Sequence, residues 1–169
     1  YLESRTEDID TEIIAKVSAI LQDVKARRDE AVKAYTRQFD GIELDDFRVS
    51  PCDIEAAAAK AEPFFVESMK KAKANIEYYH TAQKQNGYLL QKEMGIYMGQ
   101  RVLPLDSVGI YVPGGRAQYP SSVLMNAIPA RIAGVKRIVM ITPPAQDGSL
   151  HPNIAAAAMI AGVRSEERR

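Results

Sequence analysis

The residues whose types and spacing suit a ligand lie in one stretch, Ser107-Val108-Gly109-Ile110-Tyr111-Val112-Pro113-Gly114-Gly115, continued after Arg116-Ala117-Gln118 by Tyr119-Pro120-Ser121-Ser122. A β-prone run ends in Pro-Gly-Gly and is followed within a few residues by a helix start. That puts a bend at the carboxyl end of a strand, facing a helix N-terminus, which is where open α/β sheets bind ligands. Gly114 and Gly115 let a ligand approach the backbone closely. The helix start supplies N–H groups and partial positive charge for a phosphate or carboxylate. The Tyr111 ring suits a flat group such as adenine or nicotinamide. The same residues also read as a tight strand-to-helix turn, with Tyr111 packed and Ser121 and Ser122 as helix caps. The glycines lack the spacing of the dinucleotide fingerprint, and no Gly-Lys-Ser/Thr follows to make a Walker loop.

Other reactive side chains are few. His80 falls near the end of a long helix, where the dipole favours its charged form, and His151 precedes Pro152 at a helix entry. They show no His-x-x-x-His or His-x-x-Glu spacing, so they do not read as a zinc site. Cys52, the single cysteine, excludes an internal disulfide. It stands at a helix start that favours a thiolate, with no base evident beside it.

The elements that position these residues follow from periodicity. Ile13, Ile14, Val17, Ile20, Leu21 and Val24 recur at helical steps and predict an amphipathic helix from Ile9, capped by Asp8 or Asp10. A second helix runs from about Asp29 and is stopped by Phe39-Asp40-Gly41. Ser50-Pro51 opens a third, and Glu62-Pro63 separates it from a long fourth helix with Phe65, Met69, Ala72, Ile76 and Tyr79 inward. Residues 88–103 read as a β-hairpin around Glu93-Met94-Gly95. From there the pattern is strand 108–112, helix from Ser121 with Pro129 inside it, strand 137–141, and a helix opened by His151-Pro152-Asn153. The fold class expected is α/β. Residues 1–104 form a helical N-terminal part with the hairpin, and 105–163 begin a parallel-sheet domain that looks unfinished, because an open sheet needs more strands.

Composition narrows the function. Apolar residues make up 46% and charged residues 26% of the 169, as in an ordinary globular protein. Lys+Arg and Asp+Glu are both 22, which gives no global electrostatic case for nucleic acid or an anionic membrane. With no secretory signal and no apolar run of about 18 residues, a cytoplasmic location is the expectation.

The sequence also resembles a known family. Val24-Lys25-Ala26-Arg27, Asp29-Glu30-Ala31, Tyr35-Thr36, Phe39-Asp40 and Tyr79-His80-Thr81-Ala82-Gln83 are similar to the N-terminal part of histidinol dehydrogenase. The run Asp106 to Gly115, then Tyr119 to Met125, is that family's most recognisable block, and Ile128-Pro129-Ala130, Ala133-Gly134-Val135 and Thr142-Pro143-Pro144 continue it. The resemblance covers about Ile9 to Val163. It implies an incomplete Rossmann-like, aldehyde-dehydrogenase-like fold. It further implies a homodimeric, NAD- and zinc-dependent oxidoreductase that converts L-histidinol through L-histidinaldehyde to L-histidine, in the last step of histidine biosynthesis.

By the same resemblance Tyr111 contacts NAD, Pro113 and Phe39 line its adenosine end beside the Gly114-Gly115 bend, and Ser121 falls on the substrate side. The family's zinc ligands (glutamine, two histidines, aspartate) and its Glu-His proton-transfer pair lie beyond Val163, so catalytic and metal-binding residues are expected outside this chain. The expectation is an N-terminal fragment, inactive alone. Arg164-Ser165-Glu166-Glu167-Arg168-Arg169 stands where the family has a further strand; it shows no β pattern and reads as a non-native tail. Arg28 stands where the family usually has glycine, and a left-handed turn there is strained by ~1 kcal/mol. Two alternatives remain: a non-catalytic nucleotide-binding or interaction module, and an aldehyde-dehydrogenase-like enzyme acting on another amino alcohol.

Overall fold

The computed structural model describes residues 11–114, 118–145 and 147–163, together with the backbone of 165–168. The chain divides into two compact units, Tyr1–Leu44 and Asp45–Arg169. The expected change from helical to α/β near residue 104 therefore falls within the second unit.

The first unit holds α1 (Thr11–Arg27) and α2 (Asp29–Asp40), joined by Arg28 alone. Arg28 has φ 52° and ψ −126°, and is the one non-glycine residue at positive φ among those described. Its N–H donates to Val24 O at 2.8 Å, and its carbonyl accepts from Ala31 and Val32. The Arg27 guanidinium donates to the Asp23 carboxylate and, as the largest influence, holds that carboxyl below its ordinary range; the Tyr35 hydroxyl adds to the effect. The helical period of α1 holds, but its apolar stripe is not covered: no residue of α1 is buried, and Ile13, Ile14, Val17 and Leu21 are exposed.

The second unit is built on α3 (Pro51–Ala58), α4 (Pro63–Ala82), α5 (Pro120–Ala133) and α6 (Pro152–Ala161). All four open on a proline in the first turn, where the missing N–H costs nothing. Ser50 caps α3 by accepting from Asp53 N at 3.1 Å. In α4 the expected inward face is Met69, with Phe65, Ala72 and Ile76 half-buried, whereas Tyr79 is exposed.

The strands form two sheets. β1 (Arg48–Val49), β4 (Ser107–Tyr111), β5 (Arg137–Thr142) and β6 (Ser165–Arg168) make one, in the order β1-β6-β5-β4. β4, β5 and β6 run parallel, and β1 is antiparallel to β6. β2 (Tyr88–Glu93) and β3 (Ile96–Gln100) form the separate hairpin, as expected. The expectation that 164–169 lacks β structure is overturned, because Ser165–Arg168 pairs with β5 from Val139 to Thr142. Strand pairing is made by main-chain groups, and the edge of a buried strand takes a partner without needing apolar alternation in it.

The core lies where α5 and α6 meet the sheet. Ile138, Met140 and Thr142 alternate inward along β5, facing a core that includes Val123, Leu124, Ala127 and Ile128 of α5 and Ile154 of α6. Ala155, Ala157, Ala158 and Ala161 are fully buried, and such small side chains let the neighbouring helices α3, α4 and α5 pack closely on α6. Arg131, in the last turn of α5, donates from Nη1 to Ala161 O at 2.7 Å and so closes the end of α6. Gly162 then turns away at φ 75°, and a Cβ there would lie 2.1 Å from Arg131 Nη1. No described helix is long and apolar enough to cross a membrane.

Candidate functional site at the carboxyl ends of the parallel strands

β4 and β5 run in register from Ser107↔Arg137 to Tyr111↔Ile141, so they end side by side. Alternation along β4 buries Ile110 and leaves Tyr111 61% exposed; its ring face is therefore open to solvent rather than spent on packing. Val112, fully buried, extends the pairing by donating to Ile141 O at 2.9 Å. The chain continues through Pro113 and Gly114. A Cβ built on Gly114 would lie 3.3 Å from Pro143 Cδ, so the backbone here runs close against the first proline after β5, and a side chain would require that ring to give way. Gly115, expected in the same bend, lies outside the described residues.

Further along the chain, α5 begins at Pro120 with Tyr119 as its N-cap residue and no side-chain cap. The reading of Ser121 and Ser122 as caps is corrected: both lie inside the first turn, and Ser122 N–H donates to Tyr119 O at 3.0 Å. Proline takes the first helical position because its φ is already helical, which moves the serines one turn-position inward. Ser121 is exposed. Asn126 donates from Nδ2 to Ser122 O at 2.8 Å and braces that turn from within the helix. The turn after β5 is tied by Ala145 N–H to Ser149 O and by Ser149 N–H to Asp147 Oδ1, both at 2.9 Å. Hydrogen bonds from Ser149 hold the Asp147 carboxyl below its usual value.

The remaining candidates each have their own surroundings. Phe39 belongs to the first unit, is 63% exposed and stacks on Tyr35 with ring centroids 5.8 Å apart. His80 is half-buried, with Nδ1 2.7 Å from Gln83 Oε1, and its ring meets Tyr79 edge-on. His151 is the N-cap of α6, its Nδ1 accepting from Asn153 N–H at 3.2 Å; it is a helix-entry residue, as its place before proline suggests. Cys52 is an exposed free thiol. Among the described residues, no group of three or more His, Cys, Asp and Glu side chains could hold a metal ion. Two features escape a reading of the sequence: Pro143 as the wall opposite Gly114, signalled only by Thr-Pro-Pro at a strand end, and Tyr119 as the cap.

Fold and site together define an α/β protein in which two parallel strands end side by side, with Tyr111 exposed at the end of β4 and a helix without a side-chain cap following it in the chain. A family model described as histidinol dehydrogenase matches residues 3–165. The chain belongs to the histidinol dehydrogenase family. It is 52% identical over 152 residues to the histidinol dehydrogenase of Listeria innocua, covering 90% of this chain and 35% of that protein. With the Clostridium acetobutylicum enzyme the identity is 50% over 162 residues, covering 96% of this chain and 38% of the relative. The crystal structure of histidinol dehydrogenase from Elizabethkingia anophelis superposes with a TM-score of 0.86 at 34% identity, over 96% of this chain and 37% of that one. The chain thus spans little more than a third of the length of the relatives it matches.

Proposed function

We propose that this chain supplies one wall of the NAD site in an enzyme that oxidises L-histidinol through L-histidinaldehyde to L-histidine, in the cytoplasm and as a homodimer. The observation that carries the reading is exposed Tyr111, followed by Pro113 and Gly114, at the point where two parallel strands end. Tyr111 offers a flat face to adenine or nicotinamide, Pro113 and Phe39 are assigned to the adenosine end, and Gly115 continues the bend. Gly114 keeps that backbone close to Pro143. The N-terminus of α5 offers partial positive charge to its phosphates, and Ser121 lies on the substrate side.

NAD, when bound, accepts hydride from the alcohol and then from the aldehyde. The described residues do not fit zinc, since no three His, Cys, Asp or Glu side chains among them come together to hold a metal ion. Its ligands and the proton-transfer pair are assigned to the part of the protein outside this chain. The 169-residue chain alone is therefore expected to give no histidinol-dependent NADH.

The test is saturation-transfer NMR of NAD with the chain. Adenine-ribose signals should be attenuated by the wild type, and Tyr111→Ala should lower that attenuation at least about fivefold, the loss of roughly 1 kcal/mol of ring contact. Equal attenuation by both proteins, or histidinol-dependent NADH from the chain alone, overturns the reading.

A further inference from the structure

Every residue of β2 and β3 is exposed, on both faces of the hairpin. Leu89 is 72% exposed, and Tyr88, Leu90, Ile96, Tyr97 and Met98 are all exposed with it. A two-stranded hairpin is marginal in water unless something packs on it, and monomeric proteins rarely leave so large an apolar tract bare. The tract does not stop at the hairpin. Val102, Leu103 and Leu105 extend it, and Val102 and Leu103 line two adjoining hollows. One hollow, of about 310 Å³, is walled by Leu103, Pro104, Pro129 and Ile132, with His80 and Lys84 at its polar side. The other lies along the hairpin base and includes Arg101. The charged groups lining the two are Lys84 and Arg101, with no carboxylate among the lining residues.

We propose that this continuous tract, from the β2–β3 hairpin into the hollow against α5, seats the polypeptide that the relatives possess and this chain does not span. The length argument favours that occupant: the match covers 35% of the Listeria innocua protein and 37% of the Elizabethkingia anophelis chain. The same fold is therefore found within a chain almost three times as long. The lining states the chemistry of the seated segment. It carries a large apolar side chain that fills the hollow and a carboxylate within reach of Lys84 and Arg101. The proposal rests on family membership and is independent of the NAD reading.

The experiment compares two proteins. One is the 169-residue chain; the other is the Listeria innocua relative with its matched segment replaced by the corresponding residues of this chain. In the short chain Leu89→Asp and Leu103→Asp change exposed positions and should move the melting temperature by no more than about 1 °C. In the chimera the same changes bury a carboxylate against apolar groups and should lower it by about 5 °C or more. Lys84→Glu should lower it in the chimera alone, and hairpin amides should exchange at least about tenfold more slowly there than in the short chain.

Equal shifts in both proteins, or unchanged hairpin exchange, overturn the proposal. Hairpin protection in the short chain that rises with concentration alongside a dimer overturns it too, since a second copy is then the occupant. If the chimera is insoluble, the unmatched remainder is co-expressed as a separate chain. Recovery of a one-to-one complex that Leu103→Asp abolishes supports the proposal, and failure of co-recovery overturns it.

Discussion

Arg28→Gly should stabilise the helical unit, and the structure gives the size of the gain. Arg28 sits at φ 52°, ψ −126° as the single residue joining α1 to α2. A side chain in such a sparsely populated region costs about 1–3 kcal/mol. Glycine removes that cost but restores chain entropy to the unfolded state, roughly 0.5–1 kcal/mol. The main-chain bonds at this residue, to Val24 O and from Ala31 and Val32, do not depend on the side chain, and the side chain makes no cap. The net expectation is a gain of about 1 kcal/mol, or a fivefold slower opening of the α1–α2 connection.

Hydrogen exchange at the Ala31 and Val32 amides measures that opening directly, and urea denaturation followed by circular dichroism gives the stability change. Arg28→Ala is the control: it retains a Cβ and hence the strain, so its stability should stay within about 0.3 kcal/mol of the parent. An equal gain from alanine and glycine would refute the reasoning, because the benefit would then come from removing the guanidinium.

Ser50→Ala should destabilise the chain by about 1 kcal/mol, read as a lower urea midpoint, since Asp53 N–H loses its cap at the start of α3. Lowering the pH should weaken the α1–α2 unit through Asp23. Its carboxyl is held below the ordinary carboxylate range, first by Arg27; a depressed acid lends stability above its unfolded pKa and loses it as pH falls through the folded one. Helicity monitored from pH 5 to pH 2 should therefore fall, and Asp23→Asn should start lower and fall less; identical acid profiles would remove Asp23 from the account.

Most of what positions the site is written in local pattern. Pro-Gly-Gly after an apolar run, Pro-Ser-Ser opening the next helix, and helix stops at Gly41, Gly134 and Gly162 are all signals made within a few residues, and β4, α5, β5 and α6 formed where those signals stand. The β2–β3 hairpin was equally readable from Asn86-Gly87 and Met94-Gly95. What local pattern does not carry is long-range pairing. The seating of β6 joins it to β5, across the whole of α6, and to β1, more than a hundred positions away, and main-chain bonds there are indifferent to the Ser-Glu-Glu-Arg side chains. Burial is likewise a tertiary property. The period of α1 reports one apolar face, but whether anything covers Ile14 or Leu21 depends on chain elsewhere. At the cap of α5, two acceptable first residues competed, and proline's fixed φ decided against the serines.

The clasp between Arg131 and the end of α6 also constrains how this sequence can drift. Nη1 occupies the space that a side chain at position 162 would need, and the same nitrogen is what Ala161 O is bonded to. A larger residue at 162 would push that flexible guanidinium aside, leaving the helix-end carbonyl without its donor, and would itself be strained at φ 75°. The cost of losing glycine here is thus shared between the backbone at 162 and a hydrogen bond made from position 131.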